Sequence, residues 1–71
     1  MDRSFMSMCK LRHEIAMDTA VFMYKLTAPE AAAAWIKVHI DHDDADAMSR
    51  KMGSESYDRY LLDLHKRCVG R

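Results

Sequence analysis

The sequence predicts an all-α protein: a small bundle of three helices, or of four if the chain breaks near Asp41 to Asp44. Helix-forming residues dominate the composition, with seven Met against two Gly and a single Pro. Apolar residues recur every three or four positions, and no segment alternates with a period of two. Since 71 residues are too few for two cores, we expect residues 1–71 to form a single helical domain.

The first helix is expected at about residues 4–26. Large apolar side chains recur along it at helical spacing, and we expect them to face the core: Met8, Leu11, Ile15, Phe22 and Leu26. A second apolar strip, made of Met6, Met17 and Val21, projects to the other side. Because a helix that is apolar on two sides is buried on two sides, this outer strip predicts contact with another protein chain.

The second helix is expected at about residues 28–41. Thr27 can cap the amide of Glu30 while Glu30 reaches back, which is the capping-box arrangement. Pro29 is tolerated there because amides in the first turn of a helix donate no intrahelical hydrogen bond, so the N–H that proline lacks is not needed.

A break is favoured after the second helix. An uninterrupted helix would place His39, His42 and Asp46 on the same face as Trp35, and such a face is not easily buried. With a break, Asp44 would cap the next helix.

The third and fourth helices are predicted from local capping residues and from the spacing of their apolar residues. The third would cover about residues 45–52 and end at Gly53. The fourth would cover about residues 55–69, begin after a Ser54 or Ser56 cap, and end at Gly70.

Charge and cysteine content exclude several classes of function. Eleven basic and eleven acidic residues give a net charge of zero, which removes the long-range attraction that generic nucleic-acid and membrane binders use. The N-terminus lacks a signal-peptide pattern, and no apolar run approaches the roughly 20 residues of a membrane span, so we expect a cytoplasmic protein. Two Cys suggest reduced thiols, although a single bridge between the chain ends stays open.

A zinc site is one alternative for the function. Cys9 and His13 are four residues apart, and His65 and Cys68 are three apart, so each pair can point from one helical face. In a bundle whose first and last helices run parallel, the two pairs lie at opposite ends. They meet only if the chain reverses at the break or if a dimer joins them. The simpler interpretation places Cys68 and His65 in the core.

An acidic segment is the second candidate site. His39, His42, Asp43 and Asp46 would share a face of a continuous helix, where they could hold a divalent ion or contact a basic partner. The segment lacks the glycine and terminal glutamate of an EF-hand loop. Capping and the helix dipole also favour aspartates at a helix start, so a solvated turn is the simpler structural interpretation.

Two further functions have weaker support. Tyr57, Arg59 and Tyr60 interleave aromatic and basic side chains, and a dimer could align Arg50 and Lys51 with them, so a dimeric nucleic-acid-binding regulator is the second alternative. Catalysis is not expected, since the Cys–His pair of the first helix comes without oxyanion donors or a phosphate loop.

The sequence therefore predicts a non-enzymatic helical interaction module that inhibits or bridges another protein, as a homodimer. We expect the outer strip of the first helix and the acidic segment to bind a protein partner. A partner that contacts the acidic segment is expected to be basic. No cofactor is expected in this interpretation.

Overall fold

The computed structural model describes the backbone of residues 2–71 and the side chains of residues 4–71. Four α-helices follow one another: α1 (Asp2–Asp18), α2 (Pro29–His39), α3 (His42–Met52) and α4 (Ser54–Val69). A π-helical turn, Thr19–Met23, extends α1. The described residues contain no strand, and the molecule measures 34 × 21 × 20 Å. The predicted all-α bundle is confirmed, in its four-helix form.

Helix directions follow from the contacts between them. His13 bonds Tyr57 near the start of α4, and Asp18 bonds Cys68 near its end, so α1 and α4 run parallel. On α2, Lys37 pairs with Asp58, near the start of α4, while Pro29 borders Gly70. Helix α2 is therefore antiparallel to α4.

Helix α3 is antiparallel to α1. Asp44, near its start, contacts Arg12, whereas Lys51, near its end, borders Phe5. Because α2 and α3 both run against α1 and α4, the break between them redirects the chain without reversing it. The fold is an up-down-up bundle whose descending segment is divided into two helices.

The break lies at Ile40 and Asp41. Ile40 is extended (φ −80°, ψ 156°), which ends α2, and the Asp41 carboxylate accepts a hydrogen bond from the Asp43 amide at 2.8 Å. Asp41 is thus the cap of α3, and the prediction that Asp44 caps this helix is wrong. The other predicted side-chain caps are also wrong, since the cap positions of α2 and α4 are occupied by Ala28 and Gly53, which have no side-chain oxygen to accept a capping hydrogen bond.

The predicted first helix ends three residues early, in the π-helical turn. The Tyr24 amide donates to Thr19 O and the Leu26 amide to Ala20 O, and Lys25 adopts a positive φ of 59°. A π-helical turn holds more residues than an α-helical turn, so each residue after Thr19 advances by a smaller angle around the helix axis than it would in an α-helix. Val21, four residues after the buried Met17, lies on the same face and is 8% exposed.

One hydrophobic core joins all four helices, and its largest fully buried side chains include Met17, Ile36, Met48, Leu61 and Leu64. The predicted orientation of α1 is wrong: Met17 and Val21, assigned to the outer strip, are buried, and Met6 is half-buried against the core. Small residues on the inner faces, such as Cys9, Ala20 and Ala32, let the helices approach closely. No helix within residues 2–71 is long and apolar enough to cross a membrane.

Candidate functional site

The outward face of the first helix carries a row of exposed apolar side chains. They are Phe5, Met8, Leu11, Ile15 and Phe22, which are 46%, 48%, 49%, 57% and 50% exposed. We call these five residues the α1 stripe. Most of them are the residues that the sequence analysis assigned to the core, and the structure places them on the surface.

The α1 stripe runs along nearly the whole molecule, opposite the core at Leu11 and Ile15 and beside α3 at Phe5. Met8, Leu11 and Ile15 are separated by three and four residues, the spacing of a helical seam, and Phe22 follows in the π-helical turn. At 1.5 Å per residue the stripe is roughly 25 Å long, in a molecule whose longest extent is 34 Å. Met23, which is 73% exposed, extends the apolar surface past Phe22.

The area of the α1 stripe is large for so small a chain. Each side chain exposes about half of its surface, on the order of 100 Å². Together the five present on the order of 500 Å², the size of the largest apolar patch on a typical monomer, which is often a functional surface. Two such surfaces in contact bury about 1,000 Å² before their polar margins are counted, and this meets the lower limit for a specific interface.

Charged residues border the α1 stripe on both sides. Lys10, Glu14 and Asp18 follow at intervals of four residues along one margin. Asp18 accepts hydrogen bonds from Cys68 at 3.1 Å and Arg71 at 3.0 Å, so this margin is attached to the end of α4. Arg12 lies on the other margin and reaches α3.

A buried polar cluster lies behind the Arg12 margin, where α1 meets α3. Asp44 is 3% exposed and accepts hydrogen bonds from the Arg12 guanidinium, through Nε and through Nη2 at 2.8 Å. It also accepts one from Cys9 Sγ at 3.4 Å. The hydrogen bonds from Arg12 hold the pKa of the Asp44 carboxyl below its usual value. The positive charge and the hydrogen bonds of Arg12 thereby offset the free-energy cost of burying the Asp44 carboxylate.

His13 joins this cluster to α4. Its Nδ1 lies 2.7 Å from Cys9 O, an acceptor only, so Nδ1 donates that bond. Its Nε2 then accepts from the Tyr57 hydroxyl at 2.9 Å. Burial lowers the pKa of His13 and raises that of Tyr57 to about 12, which keeps both groups neutral near pH 7.

This cluster is arranged to hold helices together. The Cys9 thiol bonds a carboxylate, and its pKa is raised by burial, so the reactive thiolate is disfavoured. His13 contacts the backbone oxygen of Cys9. The pair therefore lacks the nucleophile–base contact that an activated thiol needs. Sequence reasoning missed Asp44 and Arg12 because 32 residues separate them, and no local pattern links such positions.

The predicted zinc ligands divide between two places. Cys9 and His13 belong to the cluster just described, whereas His65 Nε2 donates to Leu26 O at 3.0 Å and Cys68 bonds Asp18. Because α1 and α4 run parallel, the pairs lie at different heights of the bundle. Among the residues whose side chains are described, no three His, Cys, Asp or Glu are placed to hold a metal ion. Both cysteines are free and buried.

The acidic segment is exposed but does not form one helical face. His39 ends α2 and stacks on Trp35 with ring centroids 4.4 Å apart, while His42, Asp43 and Asp46 lie at the start of α3. All four predicted side chains are solvent-accessible. Their contact with a partner stays a prediction.

The aromatic and basic residues of α4 do not form an exposed platform. Tyr57 is 4% exposed, since its hydroxyl bonds His13 within the bundle. Arg59 is exposed on α4, and Arg50 and Lys51 are exposed on α3. Base stacking on an interleaved Tyr–Arg surface therefore lacks one of its predicted aromatic rings.

Comparison of the chain with protein-family models, with curated proteins and with solved structures finds no match. The interpretation of the site accordingly depends on the exposed surface of α1 and on the groups that border it.

Proposed function

We propose that this chain is a non-enzymatic helical interaction module that forms a homodimer through the α1 stripe and, as a dimer, binds and modulates another protein in the cytoplasm. The observation that supports the proposal is the continuous exposed stripe on the face of α1 opposite the core. An apolar surface of this size on a 71-residue chain is costly to leave in water.

A second copy of the chain is the occupant that these observations favour. The stripe is apolar along its full length, so it is complementary to an identical stripe related by a two-fold axis. The area that two stripes can bury, about 1,000 Å², is at the threshold for a biological interface before the polar margins are added. The net charge of zero means that two copies do not repel each other at long range.

The acidic segment is the surface that we assign to the modulated partner. Asp43 and Asp46 are exposed at the start of α3, beside the exposed His42. Carboxylates grouped in this way attract a basic surface and steer its approach. Binding there would act by occluding or bridging the partner.

The oligomeric state tests the proposal. Sedimentation equilibrium should give a dimer for the wild-type chain at micromolar concentration, and a monomer for Ile15→Glu, because the variant buries a charge at the centre of the interface. Circular dichroism should give the same helical signal for both proteins, since Ile15 is 57% exposed.

Val38→Glu is the matched control. Val38 is 75% exposed on α2, away from the α1 stripe, so this variant should stay dimeric. The proposal is overturned if the wild-type chain is monomeric at high micromolar concentration, or if Ile15→Glu leaves the dimer intact.

A further inference from the structure

We infer that Met8 is a redox-sensitive site of the α1 stripe, and that its oxidation to the sulfoxide by a peroxide separates the two copies of the dimer. The inference rests on the proposed function, because it specifies how pairing through the α1 stripe is regulated. Met8 lies within the α1 stripe, so a second copy that covers the stripe covers this side chain whichever way its helix runs.

Two described methionines are exposed, and both lie on the apolar surface of α1 and its π-helical turn. Met8 is 48% exposed within the α1 stripe, and Met23, which follows Phe22, is 73% exposed. The other methionines whose side chains are described are buried or partly buried against the core: Met6, Met17, Met48 and Met52. A peroxide in solution therefore reaches the thioethers of the proposed interface before those of the core.

Oxidation of Met8 needs no other group of the protein. Its sulfur attacks one oxygen of hydrogen peroxide, the O–O bond breaks, and an S–O bond forms. After proton transfer the second peroxide oxygen leaves as water, so the sulfur loses the two electrons that the peroxide gains. Because pairing covers Met8, the chain is oxidised as a monomer in equilibrium with the dimer.

The two thiols compete poorly for the peroxide. Cysteine reacts as the thiolate, and Cys9 and Cys68 are both fully buried. Burial raises the pKa of the Cys9 thiol and raises the pKa of the Cys68 thiol to about 11, which keeps both protonated at pH 7. Met8 is therefore oxidised before either cysteine.

The sulfoxide disfavours pairing because it places a polar oxygen in an apolar seam. Phe5 and Leu11, one turn before and one turn after Met8, offer no hydrogen-bond donor on their side chains. The Arg12 guanidinium is bonded to α3, and a bond to the exposed Ser4 hydroxyl gains little over a bond to water. Since a buried acceptor without a partner is costly, the dissociation constant of the dimer should rise at least about tenfold.

Sedimentation equilibrium before and after treatment with hydrogen peroxide tests the inference. Peptide mass spectrometry should find the added oxygen first on Met8 and Met23, and last on Met17 and Met48. The dissociation constant of the wild-type dimer should then rise at least about tenfold, with an unchanged helical signal in circular dichroism. Methionine sulfoxide reductases, which return both sulfoxide epimers to methionine, should restore the original constant.

Met8→Leu and Met23→Leu are the matched variants. Each is compared with its own untreated form, so any effect of leucine alone cancels. Met8→Leu should lose most of the response to peroxide, whereas Met23→Leu should keep most of it, because Met23 lies past the end of the α1 stripe. An equal response in the two variants, or a wild-type dimer that peroxide does not weaken, overturns the inference and leaves the dimer in place. A wild-type chain that is monomeric before treatment overturns both proposals.

Discussion

Asp44 illustrates how a single buried charge is tolerated in this small bundle. Its carboxylate is almost inaccessible to water, yet it receives two hydrogen bonds from Arg12 and one from Cys9. Bonds from a guanidinium to a carboxylate are among the stronger hydrogen bonds in proteins. The contact joins α1 to α3, so its loss should reduce the stability of the whole fold.

Asp44→Asn should lower the free energy of unfolding by about 2 kcal/mol, because an amide cannot replace the charge-assisted bonds to Arg12. Urea titration followed by circular dichroism measures this change. Asp58→Asn is the matched control: Asp58 pairs with Lys37 on the surface, both side chains about half exposed, so the loss should stay below about 0.5 kcal/mol. Equal losses in the two variants would contradict the structural role given to Asp44.

Little of this polar cluster was predictable from the sequence. Asp44 was interpreted as a helix cap because aspartates near a helix start usually have that role, and here Asp41 has it instead. His13 was selected for its spacing to Cys9, and the two residues do interact, but through the backbone oxygen of Cys9. Spacing within one helix identifies neighbours, whereas partners such as Asp44 and Tyr57 are set by how helices pack.

Among the secondary-structure elements, α1 was the hardest to orient. The sequence correctly predicts that this helix is apolar on two sides, but it favours the side with the larger residues as the core. The structure buries the side with Cys9, His13, Met17 and Ala20. Cys9 and Ala20 are small enough for close packing, His13 is hydrogen-bonded, and the flexible Met17 side chain fills the core. The π-helical turn adds a second error, because the first helix was predicted to continue to residue 26 and the observed helical turn ends at Met23.

A strained residue follows the π-helical turn. Lys25 has a φ of 59°, in the left-handed region that costs a residue with a side chain about 1 kcal/mol or more. Lys25→Gly should therefore raise the free energy of unfolding by about 0.5 kcal/mol or more, measured by urea titration.

Arg59→Gly serves as the control for Lys25→Gly. Arg59 is exposed within α4, where glycine should lower the free energy of unfolding by about 0.5–1 kcal/mol. Opposite signs for the two variants would support the left-handed conformation at residue 25. A loss of stability in both variants would indicate that residue 25 does not adopt the left-handed conformation.

For the whole molecule, the sequence predicts the class of fold better than its topology. Composition and the three-to-four-residue apolar period are local properties, and they are sufficient to predict an all-α bundle with a break after α2. Whether that break reverses the chain depends on packing. Because it does not, α1 and α4 run parallel, and Cys9 and Cys68 belong to different regions of the bundle.

The stability of the folded molecule should fall as the pH is lowered, in two steps. Burial lowers the pKa of His13 in the folded chain, so below about pH 6.5 the unfolded chain binds a proton that the folded chain does not. Arg12 lowers the pKa of Asp44, and the stability that this carboxylate contributes is lost as the pH falls from about 4 through its folded value.

Urea titrations at a series of pH values test this dependence. The wild-type chain should lose stability between about pH 7 and pH 5, because the unfolded state takes up the His13 proton in that interval. His13→Gln should be less stable at neutral pH but should have a flatter profile over this interval, since glutamine does not titrate. His39, His42 and His65 are present in both proteins, so their contributions cancel in the comparison. Parallel profiles for the two proteins would show that His13 is not the group responsible.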